Sequence, residues 1–213
     1  MSVNLNTDSL ILFQGDSITD CNRRKLRPKD LGEGYVQLIQ ETLASQKAEK
    51  APQCLNRGIF GNRTTDLKLR WRRDCLHHAP DVLSLLIGIN DTWRKYDLGI
   101  TTSLTKFEEN YRYLLDSFKT KCPSSPIILM SPFLLPVTEE QEVWFDDLSP
   151  KIACVKALAE EYQTYYIPLQ EIFENHISSE YPPSYWATDG VHPTLNGHTL
   201  IAEVWLDLFQ SII

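Results

Sequence analysis

The sequence predicts an α/β fold: a three-layer α/β/α sandwich built on a five-stranded parallel sheet. Two observations carry this. Short apolar runs of strand length recur about five times, and each gap between them holds apolar residues at the helical period of 3.6. The runs are also nearly continuous in their apolar character, which suits strands covered on both faces rather than on one. Parallel strands joined by helices take right-handed crossovers, and ligands of such sheets sit beyond the carboxyl ends of the strands.

The elements follow in order. Ser9 to Phe13 is a first strand ending at Gln14-Gly15, and Tyr35, Ile39 and Leu43 give the next helix one apolar face. Cys54-Leu55-Asn56 is a second short strand, followed by a helix with Leu67, Trp71 and Cys75 on one side. Val82 to Gly88 is the third strand, and Phe107, Tyr111, Leu114, Leu115 and Phe118 mark a long helix. Ile127 to Met130 is the fourth strand. Pro132 to Ser149 is the least regular stretch, and a loop over the site is one reading of it. Ile152, Val155, Ala159 and Tyr162 form another helical face before the fifth strand, Tyr165 to Ile167. The last helix carries Leu195, His198, Ala202, Trp205, Phe209 and Ile212, with Pro193 where a first-turn proline is tolerated. No repeat, low-complexity tract or linker interrupts the chain, so its 213 residues are expected to form one domain, 1–213.

Composition excludes several classes of function. Acidic residues outnumber basic ones 28 to 21, a net charge of −7, so the field of the molecule repels phosphate backbones and anionic membranes; no nucleic acid and no membrane partner is expected. No run approaches 18 consecutive apolar residues. The N-terminal Met-Ser-Val-Asn-Leu-Asn-Thr-Asp has neither a basic nor an apolar signal region, which points to a cytoplasmic protein. Cys21, Cys54, Cys75, Cys122 and Cys154 show no Cys-x-x-Cys pairing and are expected as reduced thiols packed as small apolar groups.

Chemistry-bearing residues gather after the strands. Gly15-Asp16-Ser17 follows the first, Asn56-Arg57-Gly58-Ile59-Phe60-Gly61-Asn62 the second, and Gly88-Ile89-Asn90-Asp91 the third, while Asp189-Gly190-Val191-His192 lies beyond the fifth. A serine nucleophile needs an imidazole to take its proton, a carboxylate to hold that imidazole in the right tautomer, and fixed donors where negative charge develops on oxygen. All of these occur here. Ser17 alone reads as a helix N-cap and His192 alone as an ordinary histidine; the joint occurrence of four stations at one sheet edge is what favours catalysis.

These four blocks resemble those of the SGNH (GDSL-type) serine hydrolases over nearly the whole chain, which implies a flavodoxin-like sheet order. The resemblance implies that Ser17 is the nucleophile and an oxyanion donor through its backbone N–H, that Gly61 and Asn90 are the other two oxyanion donors, and that Asp189 and His192 complete the triad. Gly-Asp-Ser-Ile-Thr-Asp and Gly-Ile-Asn-Asp-Thr-Trp-Arg-Lys-Tyr-Asp are similar to intracellular acetyl-xylan esterases, which implies a small acetylated sugar as substrate and no cofactor. The familiar Gly-Asp-Ser-Leu is Gly-Asp-Ser-Ile here, a branched apolar exchange that leaves the chemistry alone. The Gly-x-Ser-x-Gly elbow of the α/β-hydrolases is absent at Ser17.

Around these stations, Trp93, Arg94 and Tyr96 are candidates for holding a sugar, or else parts of a packed loop, and Trp186 is a candidate wall of the acetyl pocket, or else core. Asp16 and Asp91 adjoin stations and are expected to brace turns. Arg23, Arg24, Lys25, Arg27 and Lys29 read as a solvated loop or part of a subunit contact in a homo-oligomer. His77-His78 suits a helix C-terminus, and no ligand spacing predicts a metal. Three alternatives stand beside the sugar esterase: a lysophospholipase or thioesterase with the same triad, a flavodoxin-like phosphate-binding module, and a catalytically dead carbohydrate-binding relative. Asp16 and Asp20 would repel a phosphate, and no triad position is missing.

Overall fold

The computed structural model describes residues 8–47 and 51–213; the stretch 1–7, on which most of the expectation about an export signal rests, lies outside them. Strands β1 (Leu10–Gly15), β2 (Gln53–Asn56), β3 (Val82–Leu86), β4 (Ile127–Met130) and β5 (Tyr165–Ile167) pair in parallel in the order β2-β1-β3-β4-β5. The chain runs outward from β1 to β2 and then crosses back to place β3 on the other side of β1. Strand order therefore reverses between β1 and β3, and that switch point opens a crevice at the carboxyl ends. Register brings Gly15 level with Leu86, so the two strands deliver their next residues to the same crevice.

The helices in chain order begin with α1 (Ser17–Asp20), α2 (Tyr35–Lys47), α3 (Thr64–Trp71), α4 (Ile89–Leu98) and α5 (Leu104–Lys121). They continue with α6 (Glu139–Glu142), α7 (Phe145–Glu161), α8 (Leu169–His176), α9 (Pro183–Trp186) and α10 (Leu195–Ile212). Because strand side chains alternate, Ile11, Phe13, Val82, Leu86, Ile128 and Met130 enter one core under α2, α8 and α10. Leu12, Leu83, Leu85, Ile127 and Leu129 enter the other under α3, α5 and α7. Both faces of the sheet are thus dry, as the unbroken apolar runs require. Ser84 is the polar exception in β3, and its Oγ accepts the indole N–H of buried Trp205 at 3.0 Å.

Four local expectations change. The segment after Asn90 is a helix, α4, not a loop. The apolar face of α3 does reach Cys75, but through a π-helical turn over Arg72–Leu76. Pro132 to Ser149 is not a loop lying over the surface: Ser131 to Leu135 are buried, and the stretch goes on into α6 and the start of α7. An irregular backbone survives in the interior only when its polar groups are met. Here Gln170 Oε1 accepts the Leu134 N–H at 2.8 Å while its Nε2 donates to the Leu134 carbonyl at 3.0 Å, and the Leu135 N–H donates to the Gly190 carbonyl at 2.8 Å. Pro193 lies just outside α10, whose N-cap is Thr194.

Phe13 is fully buried in β1 between Tyr35 and Trp205, at ring-centroid distances of 5.9 and 5.2 Å. Phe13→Ala is expected to remove about 3–5 kcal/mol from the unfolding free energy in urea, and a loss below about 1 kcal/mol would show that α2 and α10 close over the cavity.

Candidate active site

Ser17 reaches the crevice because β1 ends in Gly15. A Cβ there would stand 2.2 Å from Thr19 Oγ1 and 2.4 Å from the Leu86 carbonyl, so only glycine lets β1 turn this tightly beside β3. Asp16 caps the short helix α1, its Oδ1 accepting the Ile18 N–H at 3.0 Å. Ser17 is therefore the first residue of the helix rather than its cap, and its hydroxyl is free for another partner. That partner is His192: Ser17 Oγ lies 2.9 Å from His192 Nε2. His192 Nδ1 lies 2.6 Å from Asp189 Oδ2, and Asp189 Oδ1 accepts the backbone N–H groups of Val191 and His192 at 3.0 and 2.7 Å.

These contacts fix the protonation pattern. Partial burial disfavours charge on Asp189, but hydrogen bonds from the ring and backbone of His192 and from Val191 outweigh it and bring the carboxyl down to about 2. An ionised carboxylate only accepts, so the neutral imidazole carries its proton on Nδ1 and turns a bare Nε2 toward Ser17. The same hydrogen bond to Asp189 raises the His192 pKa above its ordinary 6.5, against desolvation. Two aromatic rings flank the imidazole: Phe60 lies parallel to it at 6.1 Å and Trp93 is tilted at 5.7 Å.

The donors gather on the β2 and β3 side. Ile59 to Asn62 form a turn in which the Asn62 N–H donates to the Ile59 carbonyl at 3.2 Å, and Gly61 takes the positive φ of +74° that its third position requires. Asn90 Nδ2 uses one of its two N–H groups on the Asn62 carbonyl at 3.2 Å. Among the described residues, neither the Ser17 nor the Gly61 backbone N–H has a partner in the fold. Asn56, fully buried, binds the Thr19 and Leu31 carbonyls at 2.6 and 2.7 Å and the Gly58 N–H at 2.9 Å, tying the β2 loop to α1.

Arg70, which the sequence reading passed over, is buried beneath these loops. Its Nε donates to Asn62 Oδ1 at 2.6 Å, Nη1 to Gln14 Oε1 and the Arg57 carbonyl at 2.9 and 2.8 Å, and Nη2 to the Gly15 carbonyl at 3.0 Å. Burial lowers its pKa to about 10, partly opposed by Asp74 at 3.4 Å. Its place on α3, 55 residues from the end of β1, hides this role from any local pattern.

Both acids beside the stations are buried and used by the fold. Burial pushes Asp16 up to about 7 and Asp91 up to about 6. Asp91 accepts the Thr64 N–H and hydroxyl at 2.9 and 2.7 Å, which anchors the start of α3. The candidate sugar-holding residues are spread out. Trp93 faces His192; Arg94 pairs with Asp97 at 2.6 Å and lies over the Trp93 ring; the Tyr96 hydroxyl donates to the Val143 carbonyl at 2.8 Å, its ring stacked on Trp144. Trp186 packs among Phe173, His176, Tyr181 and Tyr185. Arg23 departs from the solvated-loop expectation: it is buried, donates to the Gly58 carbonyl at 2.8 Å and sits 3.7 Å from Asp20, while Arg24, Lys25, Arg27 and Lys29 are exposed. Phe60 and His198 also border the crevice, and neither was singled out as a candidate site residue from sequence.

A serine–histidine–aspartate relay at the switch point of such a sheet belongs with the comparisons to known proteins. Residues 13–200 match the model of the GDSL-like lipase/acylhydrolase family. The chain belongs to that family. It is 36% identical over 202 residues to an acetylxylan esterase of Geobacillus stearothermophilus, covering 92% of this chain and 91% of the relative. A crystal structure from Parabacteroides merdae, assigned as a GDSL-like lipase, superposes with a TM-score of 0.91 at 38% identity over 99% of each chain. Axe2, an acetylxylan esterase of Geobacillus stearothermophilus, superposes with a TM-score of 0.88 at 33% identity, over 98% of this chain and 96% of its own. Forms of Axe2 described as catalytic mutants replace a serine, an aspartate and a histidine by alanine, the last two being three positions apart. This GDSL-family chain is a carboxylic ester hydrolase, which removes the phosphate-binding module from consideration. Among the described residues no helix is long and apolar enough to cross a membrane.

Removing the Arg70 clamp tests how the site is held. Arg70→Met is expected to cost about 3 kcal/mol of stability, the low end for a broken buried ion pair because Arg73 still binds Asp74 at 2.7 Å. It is also expected to slow labelling of Ser17 by a fluorophosphonate; unchanged labelling would separate Arg70 from the geometry of the loop that holds Gly61 and Asn62.

Proposed function

We propose that the protein is a serine esterase that removes acetyl groups from small carbohydrates, acetylated xylo-oligosaccharides foremost, through an acyl-enzyme on Ser17. The observation that carries the mechanism is the pair of short contacts, Ser17 Oγ to His192 Nε2 at 2.9 Å and His192 Nδ1 to Asp189 Oδ2 at 2.6 Å. The hydroxyl gives its proton to Nε2 as Oγ bonds to the acyl carbon. The oxyanion that forms takes hydrogen bonds from the Ser17 and Gly61 N–H groups and from the remaining N–H of Asn90 Nδ2. The imidazolium then protonates the departing sugar oxygen, leaving acetyl-Ser17. Water, deprotonated by His192, attacks that ester, and the imidazolium returns the proton to Ser17 Oγ as the acyl–oxygen bond breaks and acetate leaves. Asp189 stays ionised throughout, since its low pKa keeps it a carboxylate at any working pH.

The acetyl and sugar parts of the proposal are supported by the Geobacillus relative, described as an acetylxylan and an acetyl-xylooligosaccharide esterase. Its serine, aspartate and histidine mutants match Ser17, Asp189 and His192 in residue type, and the aspartate and histidine in spacing. Trp93, at 5.7 Å from the imidazole, suits an apolar wall beside the reacting ester. Arg94 and Tyr96 already hold Asp97 and Val143, so any contribution to a sugar would compete with those bonds.

Ser17→Ala is expected to reduce turnover to background with unchanged folding and to abolish fluorophosphonate labelling; an adduct on another residue would overturn the triad. kcat/KM is expected to rise with pH and to reach half its plateau above 6.5, because the raised pKa of His192 keeps it protonated, and unable to accept a proton, to higher pH. A flat profile from pH 5 to 8 counts against His192 as base. Hydrolysis of p-nitrophenyl esters is expected to fall sharply beyond acetate. Retained octanoate activity, with no cleavage of acetylated xylotriose, would favour the lysophospholipase or thioesterase reading.

A further inference from the structure

Ser17, His192, Phe60, Cys21, Asn22 and Pro193 border a cleft of about 430 Å³, a size that takes a small organic molecule. Its lining contains both groups that exchange the proton but neither Gly61 nor Asn90. That asymmetry has a chemical meaning. The tetrahedral carbon of ester hydrolysis carries the serine oxygen, the oxyanion, the acyl substituent and the departing oxygen. The oxyanion faces its donors, and the departing oxygen faces Nε2 of the imidazole, which protonates it. A cleft lined by the imidazole and not by Gly61 or Asn90 therefore suits the alcohol part of the ester.

Phe60 forms one wall of this cleft. An exposed phenylalanine on its own means little; this one is held in place. It sits at the second position of the Ile59–Asn62 turn, its N–H donates to Asp20 Oδ2 at 3.1 Å, and Asp20 is flanked by Arg23 and Lys25 at 3.7 and 3.5 Å. The ring is 70% exposed and lies within 5° of parallel to the His192 imidazole. The same cleft is also lined by Asp20, Asn22 and His198, of which Asn22 is exposed. A pyranose suits this wall, because its face of C–H groups lies on the electron-rich ring face.

We propose that Phe60 is the platform for the alcohol half of the substrate, stacking a pyranose ring so that its ester oxygen points to His192 Nε2. This rests on the sugar-ester reading above and names its specificity-determining residue. The test is the ratio of kcat/KM on acetylated xylotriose to kcat/KM on ethyl acetate, whose alcohol has no ring to stack. Phe60→Ala is expected to lower the ratio about tenfold, mainly through KM for the sugar. Phe60→Trp is expected to restore it and Phe60→Leu is not, because a branched alkyl group replaces the area but not the flat face. An unchanged ratio in Phe60→Ala, or full restoration by leucine, overturns the platform and leaves the sugar esterase standing. A wild-type enzyme that cleaves ethyl acetate but no acetylated xylo-oligosaccharide overturns the sugar reading and the platform together.

Discussion

The buried guanidinium of Arg70 is the interaction on which the site depends. A cation taken out of water must have its donors met, and here they are met by the Gly15 and Arg57 carbonyls, Gln14 and Asn62. Those acceptors belong to the end of β1 and to both ends of the loop after β2. Satisfying one side chain therefore fixes the two segments that bring Ser17 and Gly61 together. From Asn62 the constraint passes to Asn90, whose amide donates to the Asn62 carbonyl at 3.2 Å, so the β3 end is tied in as well.

A second layer of buried charge lies around this frame. Asp16 and Asp91 neighbour Ser17 and Asn90 in sequence, yet both are buried and shifted upward by burial; Thr64 binds both oxygens of Asp91, while Ile18 binds Oδ1 of Asp16 and its Oδ2 has no partner among the described residues. Lys151, almost completely buried, bridges the Asp91 carbonyl, Thr92 and Asp147, which joins α4 to α7. Asp189, by contrast, is partly exposed and held ionised by three hydrogen bonds. Environment, rather than residue type, separates the carboxylate that can stabilise an imidazolium from those that brace the turns.

The expectations that failed locally did so for tertiary reasons. Pro132 to Leu135 looks like surface loop because it lacks a period, but Gln170, more than thirty residues later, satisfies Leu134 from both sides and lets the stretch enter the core. The helix after Asn90 was hidden because Asn90 and Asp91 at its start favour turns when read locally, whereas Asp91 is occupied by Thr64. Arg23 reads as one of five basic loop residues; only folding places its guanidinium against the Gly58 carbonyl.

By itself the sequence determined the fold class and the stations of the site. Apolar runs without polar alternation require strands covered on both faces, and short motifs after those strands carry the serine, the amides and the Asp-x-x-His pair; these are local properties, set by period and residue chemistry. What only the tertiary structure decided is everything that depends on distance across the chain. Ser17 and His192 are 175 residues apart and meet at 2.9 Å because packing, including Trp205 of α10 against Phe13 of β1, brings the end of β1 and the segment before α10 to one edge of the sheet. Arg70 becomes a clamp, and Phe60 a wall beside the imidazole, for the same reason. A buried cation's partners and an exposed ring's neighbour are chosen by which loops the sheet brings to one edge, and no local pattern records that choice.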